Sequence, residues 1–256
     1  MKKTHYRRVI LKFSGEALLG KRTSGIDTVV IENIAHEIKP LVASKVQIGI
    51  VVGGGNFFRG AELCSNKTTV NDAANNAKNQ DVNGILISRV TGDHLGMIAT
   101  MLNALAMRDV FTHLNIPTKI MSALPIDGII ESYDCHKAAN YLEQNFVVIF
   151  AGGTGNPFVT TDTALGLRGI ELDADLLLKA TNVKGIYSAD PQTNPDAKFY
   201  SHLTYQEALT KELAVMDLSA FCLCRDHQMK LRVFNMHKKG AILRIIQGAN
   251  EGTLVE

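Results

Sequence analysis

VQIGIVVGGGNFFRG, residues 46–60, decides the class of fold. Five of the seven residues before the glycines are apolar and mostly β-branched, the pattern of a buried strand. The run stops at Gly53-Gly54-Gly55, and Arg59 follows. Three successive glycines bring no side chain to a core. They are expected to let the backbone take positive φ and let a ligand approach the main-chain N–H groups. Arg59 adds a planar fork suited to phosphate. A phosphate cradle is the expectation; a plain tight turn after a strand is the competing reading.

Upstream, RVILKF (8–13) reads as the first strand, with Lys12 near its C-terminal end, followed by Ser14-Gly15. Open α/β sheets place ligands at such strand ends; a lysine on an edge strand with its head in water is the alternative. Residues 15–22, GEALLGKR, nearly match a phosphate-loop pattern. The match fails: Arg22 replaces the hydroxyl that would hold magnesium, Glu16 puts a carboxylate in the cradle, and Ala17-Leu18-Leu19 is not loop chemistry. The apolar spacing of 27–43 predicts a helix capped by Asp27.

Downstream, residues 61–80 are rich in Asn, Lys, Thr and Ala and poor in large apolar side chains, which suggests a surface excursion or a solvated, partly helical insert. A helix is expected over 95–108, apolar on most faces and therefore buried, with Asp93 at its start as N-cap. Residues 118–122 are a short strand. A second strand-to-glycine junction, FVVIFAGGTGNPFVTTD, spans 146–162 and carries Thr154, Asn156, Thr160, Thr161 and Asp162, suited to the polar edges of a small molecule. ADLLLKA ends a third strand at Lys179, with Thr181 just beyond, and NVKGIYSAD (182–190) is a turn with a short strand. Helices are expected over 204–213 and from 217, and late strands at 231–234 and 242–246. Strands alternating with helices make the class α/β, with a largely parallel central sheet and helices on both faces.

The 256 residues suffice for one large α/β domain or two small ones, and with a formal net charge of +2 no strong field argues for a nucleic-acid or anionic-membrane partner. No apolar run approaches the ~18 residues of a membrane helix. The basic N-terminus lacks the apolar stretch of a signal peptide. Cys64, Cys135, Cys222 and Cys224 have no metal or redox spacing and are expected to be reduced thiols of a cytoplasmic protein.

A parallel sheet gathers its strand ends on one edge. That edge would collect Lys12, Ser14 and Gly15, the 53–55 glycines with Arg59, residues 154–162, and 179–181. Cations, open N–H groups and a carboxylate that orients a lysine or holds Mg²⁺ are the parts of phosphoryl transfer. There is no evident general base. That suits an acceptor already ionised at neutral pH, a phosphate or a carboxylate.

LKFSGEAL, VVGGGNFFRG, GDHLGM, AGGTGNPFVTTD, LKATNVKGIYSADP and MDLSAF together resemble the bacterial uridylate kinases of the amino acid kinase family, over nearly the whole chain. The resemblance implies an amino acid kinase-like three-layer sandwich and ATP-Mg²⁺-dependent phosphorylation of UMP to UDP. It also implies a cytoplasmic homohexamer with GTP activation and UTP inhibition. One domain is implied, with an acceptor and assembly lobe to about 165 and an ATP lobe beyond. By motif, Lys12, Phe13, Ser14 and Gly15 would bind ATP phosphates, with Gly55 and Arg59. Lys179, Thr181, Tyr187 and Asp190 would bind the rest of ATP. UMP would meet Gly54, Asp93, Thr154, Gly155, Asn156, Pro157, Phe158, Val159, Thr160 and Thr161. Lys12, Arg59, Asp162 and Asp217 would form the catalytic centre, with Asp162 and Asp217 orienting Lys12 or Mg²⁺. Gly20, Lys21, Arg22, Thr23, Ser24 and Gly25 match the loop linked to GTP.

The chain departs from the pattern between Arg59 and Asp93, where it is longer than is usual in the family. The 61–80 segment is expected to be mobile and dispensable for folding. The competing functions are a kinase of a small carboxylate on the same fold and a nucleotide-binding regulatory protein. The second would lack Lys12 or the acidic pair, and this chain keeps both.

Overall fold

A computed structural model describes residues 4–57, 87–213 and 216–256. Arg59, Cys64 and the Asn-rich stretch lie outside the described residues.

The strand expected at residue 8 is β1 (Arg8–Phe13), and the glycine-ended strand is β2 (Gln47–Val52). Then come β3 (Thr118–Ser122), β4 (Glu131–Ser132), β5 (Val147–Ala151), β6 (Leu176–Thr181), β9 (His202–Leu203), β10 (Leu231–Asn235) and β11 (Thr253–Val255). They form one nine-stranded sheet ordered β4-β3-β5-β2-β1-β6-β10-β11-β9. Every neighbouring pair is parallel except β10 with β11. A small antiparallel ribbon joins β7 (Ile186–Tyr187) to β8 (Phe199–Tyr200).

The helices are α1 (Thr28–Ala43), α2 (Arg89–His113), α3 (Cys135–Glu143), α4 (Thr161–Glu171), α5 (Tyr205–Thr210), α6 (Leu218–Asp226) and α7 (Ala241–Ile246). Alternation along β1 sorts them into two layers, because successive side chains leave opposite faces. Val9, Leu11 and Phe13 pack with α1, α2 and α7 in one core, and Ile10 packs with α3, α4, α5 and α6 in the other. Lys12 shares the parity of Ile10. The catalytic lysine expected from sequence therefore faces the α4 side of a central strand rather than an edge.

Three expectations change. Residues 242–246 are the helix α7, not a strand: Ile242, Ile245 and Ile246 bury one helical face, and β11 takes the place beside β10. A short β-branched run cannot by itself be told from a buried helical turn. The 95–108 helix begins at Arg89, capped by Ser88, so Asp93 lies inside it and is not its N-cap. That helix is also not wholly buried, since Ile98 is 48% and Leu102 45% exposed in the single chain. The Asp27 cap holds, with its carboxylate accepting from the Val29 N–H at 3.0 Å. The sequence pattern does not reveal helices α3 and α4 or strands β4, β8, β9 and β11.

Candidate active site

The site lies where β1, β2, β5 and β6 end. Ser14 caps a single 3-10 turn, Gly15–Leu18, by accepting from Ala17 N, and Leu18 is fully buried. This turn, not a phosphate loop, is what residues 15–18 build.

The 53–55 glycines work differently from expectation. None of them has positive φ. What they provide is close backbone approach. A Cβ on Gly15 would meet Asn56 Oδ1 at 2.6 Å and Gly54 C at 2.7 Å, and one on Gly54 would meet Gly96 O at 2.5 Å. The glycines thus do serve packing, of loop against loop and loop against α2. Positive φ belongs to the second junction, at Gly152, Gly153 and Gly155. A buried amide pair locks the first junction. Asn103 Nδ2 donates to Gly53 O (2.7 Å) and Asn56 Oδ1 (2.7 Å), while Asn56 Nδ2 donates to Asn103 Oδ1 (2.8 Å) and Gly25 O (2.9 Å).

At the centre, Asp162 in the first turn of α4 receives two lysines. Lys179 Nζ donates to its Oδ2 at 2.7 Å, and Lys12 Nζ pairs with its Oδ1 at 3.1 Å. That Oδ1 is buried and makes no hydrogen bond; its contact with Lys12 is the ion pair alone. Lys12 and Lys179 are partners in the β1–β6 register, which sets both ammonium groups side by side. Burial pulls the Lys179 ammonium below the usual lysine range against the upward pull of Asp162, and Lys12 adds to the lowering. The sequence placed Lys179 with ATP; its pairing with Asp162 across 17 residues needed the fold.

Asp217 does a different job. It caps α6 through Ala220 N (2.9 Å) and accepts from the hydroxyls of Thr160, Thr163 and Ser219. Burial pushes its carboxyl up, but the bonds from Ser219, Thr160, Ala220 and Thr163 outweigh it, leaving the group below the usual carboxylate range. The Thr160 hydroxyl is occupied by this stitch and by the Asp162 N–H, which it accepts at 3.1 Å.

Two clefts flank the centre. One, about 140 Å³, is lined by Gly54, Gly55, Asp93, Thr154, Val159 and Thr161, together with Gly92, Gly96, Met97, Thr100 and Gly153, which sequence reasoning missed. The GDHLG spacing held a signal, because glycines at 92 and 96 flank Asp93 on one helical face. Thr100 Oγ1 accepts from Gly152 N at 2.7 Å, tying α2 to the second glycine loop. Gly155, Asn156, Pro157 and Phe158 do not line this cleft, and the Phe158 side chain is 67% exposed. The other cleft, about 400 Å³, includes Thr181, Gly185, Tyr187 and Asp190. Phe13 is buried in the core and lines neither of these two clefts.

Among the described residues no cluster of three His, Cys, Asp or Glu side chains could hold a metal ion, and no helix is long and apolar enough to cross a membrane. Cys135, Cys222 and Cys224 are free thiols.

The amino acid kinase family model matches residues 7–235. The chain belongs to this family. A uridylate kinase of Coxiella burnetii is 54% identical over 251 residues, 98% of this chain and 96% of that one. One of Marinobacter nauticus is 52% identical over the same shares. Among solved structures, a UMP kinase from Bacillus anthracis superposes with a TM-score of 0.87 at 34% identity, covering 98% of this chain and 96% of its own. One from Ureaplasma parvum gives 0.84 at 33%, covering 98% of each.

Proposed function

We propose that this protein is a UMP kinase, transferring the γ-phosphoryl group of ATP to UMP to give UDP and ADP in pyrimidine nucleotide synthesis. The observation that carries the reading is the position of Lys12, Asp162 and Lys179. They sit on the central strand pair and the α4 start, between a cleft built from β2, β5 and α2 and one built from β6 and β10. The first cleft takes UMP, with Asp93 on the ribose and Thr154, Val159 and Thr161 on the base and phosphate. The second takes the adenosine of ATP at Thr181, Tyr187 and Asp190. This divides one domain into an acceptor and assembly lobe to about 165 and an ATP lobe beyond.

Phosphoryl transfer is mostly positioning and charge stabilisation. In this reading the Lys12 and Lys179 ammonium groups face the transferring phosphate, and Asp162 holds both in place without being consumed. The N–H groups near Gly15 and Gly55 complete the anion cradle, with Arg59 as a further cation. UMP phosphate is largely ionised at neutral pH, so no general base is needed. The donor set fits Mg²⁺ arriving on the triphosphate, since magnesium is commonly held by substrate phosphates with one or two carboxylates. Magnesium would neutralise phosphate charge there, with Asp162 or Asp217 as the carboxylate within reach.

The finer readings are a cytoplasmic homohexamer, GTP activation through Gly20–Gly25, and UTP inhibition. The exposed Ile98 and Leu102, one helical turn apart on α2, support assembly. The test is UDP formation from UMP and ATP-Mg²⁺, with CMP, glutamate and aspartate as alternative acceptors. A hydrogen-bonding site penalises a base with swapped donors and acceptors. CMP turnover equal to UMP refutes the base assignment, and turnover of an amino acid alone refutes the reading.

A further inference from the structure

Asp93 is not a free carboxylate waiting for a ligand. Arg89 Nε, one helical turn earlier on α2, donates to Asp93 Oδ1 at 2.8 Å and to Oδ2 at 2.9 Å. The backbone N–H of Phe158 donates to the same Oδ2 at 2.7 Å, across 65 residues. Phe158 holds a φ of +66°, a left-handed conformation that a bulky aromatic residue rarely adopts. The Arg89 guanidinium carbon lies 5.7 Å from the Phe158 ring centroid. Arg89 itself does not line the cleft, whereas Asp93 and Val159 do.

These contacts form a chain with a direction. Arg89 fixes the rotamer of Asp93, Asp93 holds the strained Phe158 backbone, and Phe158 sets the exit of the loop whose residues Thr154 and Val159 wall the cleft. The Asp93 side chain is 16% exposed and that of Arg89 46%, so the carboxylate faces the cleft and the guanidinium closes over it from outside. A carboxylate has about four lone-pair sites. Three donations occupy most of them, and the remaining direction is left for a donor from the cleft.

We propose that Arg89 is a positioning residue for the acceptor nucleotide, holding Asp93 and the 152–159 loop in the arrangement that reads the ribose hydroxyls. This rests on the assignment of the cleft to UMP. Without Arg89, Asp93 gains rotamers, and the Phe158 N–H loses a fixed acceptor. The acceptor site then has to be ordered by the nucleotide itself, which weakens binding without touching the phosphoryl-transfer centre.

The experiment compares Arg89→Ala, Arg89→Lys and Asp93→Asn with the wild type in steady-state assays using UMP and 2′-deoxy-UMP, with melting temperatures alongside. Losing a charge-assisted hydrogen bond corresponds to about a 10- to 100-fold effect. The expected result is a rise of that size in the UMP KM of Arg89→Ala, a smaller change in kcat, and an unchanged ATP KM. The preference for UMP over 2′-deoxy-UMP should shrink. Arg89→Lys, which keeps the charge but not the fork, should recover part of the loss. A raised UMP KM in Asp93→Asn but not in Arg89→Ala overturns the positioning role and leaves the cleft assignment standing. No rise in either variant overturns both. A rise in Arg89→Ala with the ribose preference intact, or matched by an equal rise for ATP, also overturns the proposal, because a merely structural loss has no reason to be selective.

Discussion

Asp162→Asn is the substitution that asks most of the proposed centre. The carboxylate sits 2.7 Å from one ammonium and 3.1 Å from another, and the residue is only 9% exposed. At an effective dielectric near 20, unit charges about 4 Å apart interact by about 4 kcal/mol. Both ions were desolvated to make this pairing, so the net cost of removing one partner is about 3–5 kcal/mol. That is a large share of the ~5–15 kcal/mol by which domains are stable. The loss is limited by Lys179. Its folded-state pKa already lies below the unfolded value, and without Asp162 it falls further. The sign follows. The penalty for holding Lys179 charged is full below its folded pKa and is relieved as pH rises towards the unfolded value near 10.4, so this group makes stability climb with pH on the alkaline side. In Asp162→Asn the same climb moves to lower pH. The expected outcome is an unfolding free energy, from urea titration near pH 7, lowered by about 3 kcal/mol with a matching fall in midpoint, and a kcat for UDP formation reduced about 10²–10³-fold. A second variant separates the two effects. Adding Lys179→Met removes one of the two buried ammonium groups left without a counter-charge, while Lys12 stays. It should return part of the lost stability and none of the lost kcat. An Asp162→Asn enzyme within about threefold of wild-type kcat, with an unmoved midpoint, refutes the reasoning.

Other outcomes follow from the same geometry. Gly15→Ala places a methyl against backbone and Asn56, so overpacking of about 1–3 kcal/mol and a drop in kcat are expected; chemical denaturation and UDP assays with wild-type values would show that the loops separate freely. Asp217 has a lowered carboxyl pKa, so its stabilisation is present above the unfolded value near pH 4 and is lost as pH falls through the folded value. Asp217→Asn should cost about 1–2 kcal/mol at neutral pH and flatten the acid limb of a stability–pH curve, and an equally steep limb would contradict this. Lys21→Ala/Arg22→Ala should raise the GTP concentration for half-maximal activation about tenfold. Identical activation curves for UDP production would place the effector site elsewhere.

Local pattern was enough for the strands that end in function. RVILKF, QIGIVV and LLLKAT read as buried strands because parallel strands are apolar on both faces, and their polar ends stand out against that background. Asp27 and the i, i+3, i+4 spacing behind it likewise declared α1. The motifs at 12–15, 53–59 and 154–162 pointed to the family and to phosphate chemistry, since glycine, lysine and hydroxyl clusters at strand ends have few other uses. Chain order could not say which carboxylate meets which cation. Asp162 faces two lysines and Asp217 caps a helix because α4 packs on the Lys12 face of the sheet, a consequence of strand order and side-chain parity. The same holds for the 53–55 glycines, whose need for closeness arises only when the β1 and β2 loops and α2 converge. It holds for Ile242 to Ile246, where a β-rich composition was overruled because the core offered a helical face and the place beside β10 was taken by β11. Composition and period act along the chain. Pairing of charges, approach of backbones and competition for a place in the sheet act between segments far apart in it, and only the packed structure resolves them.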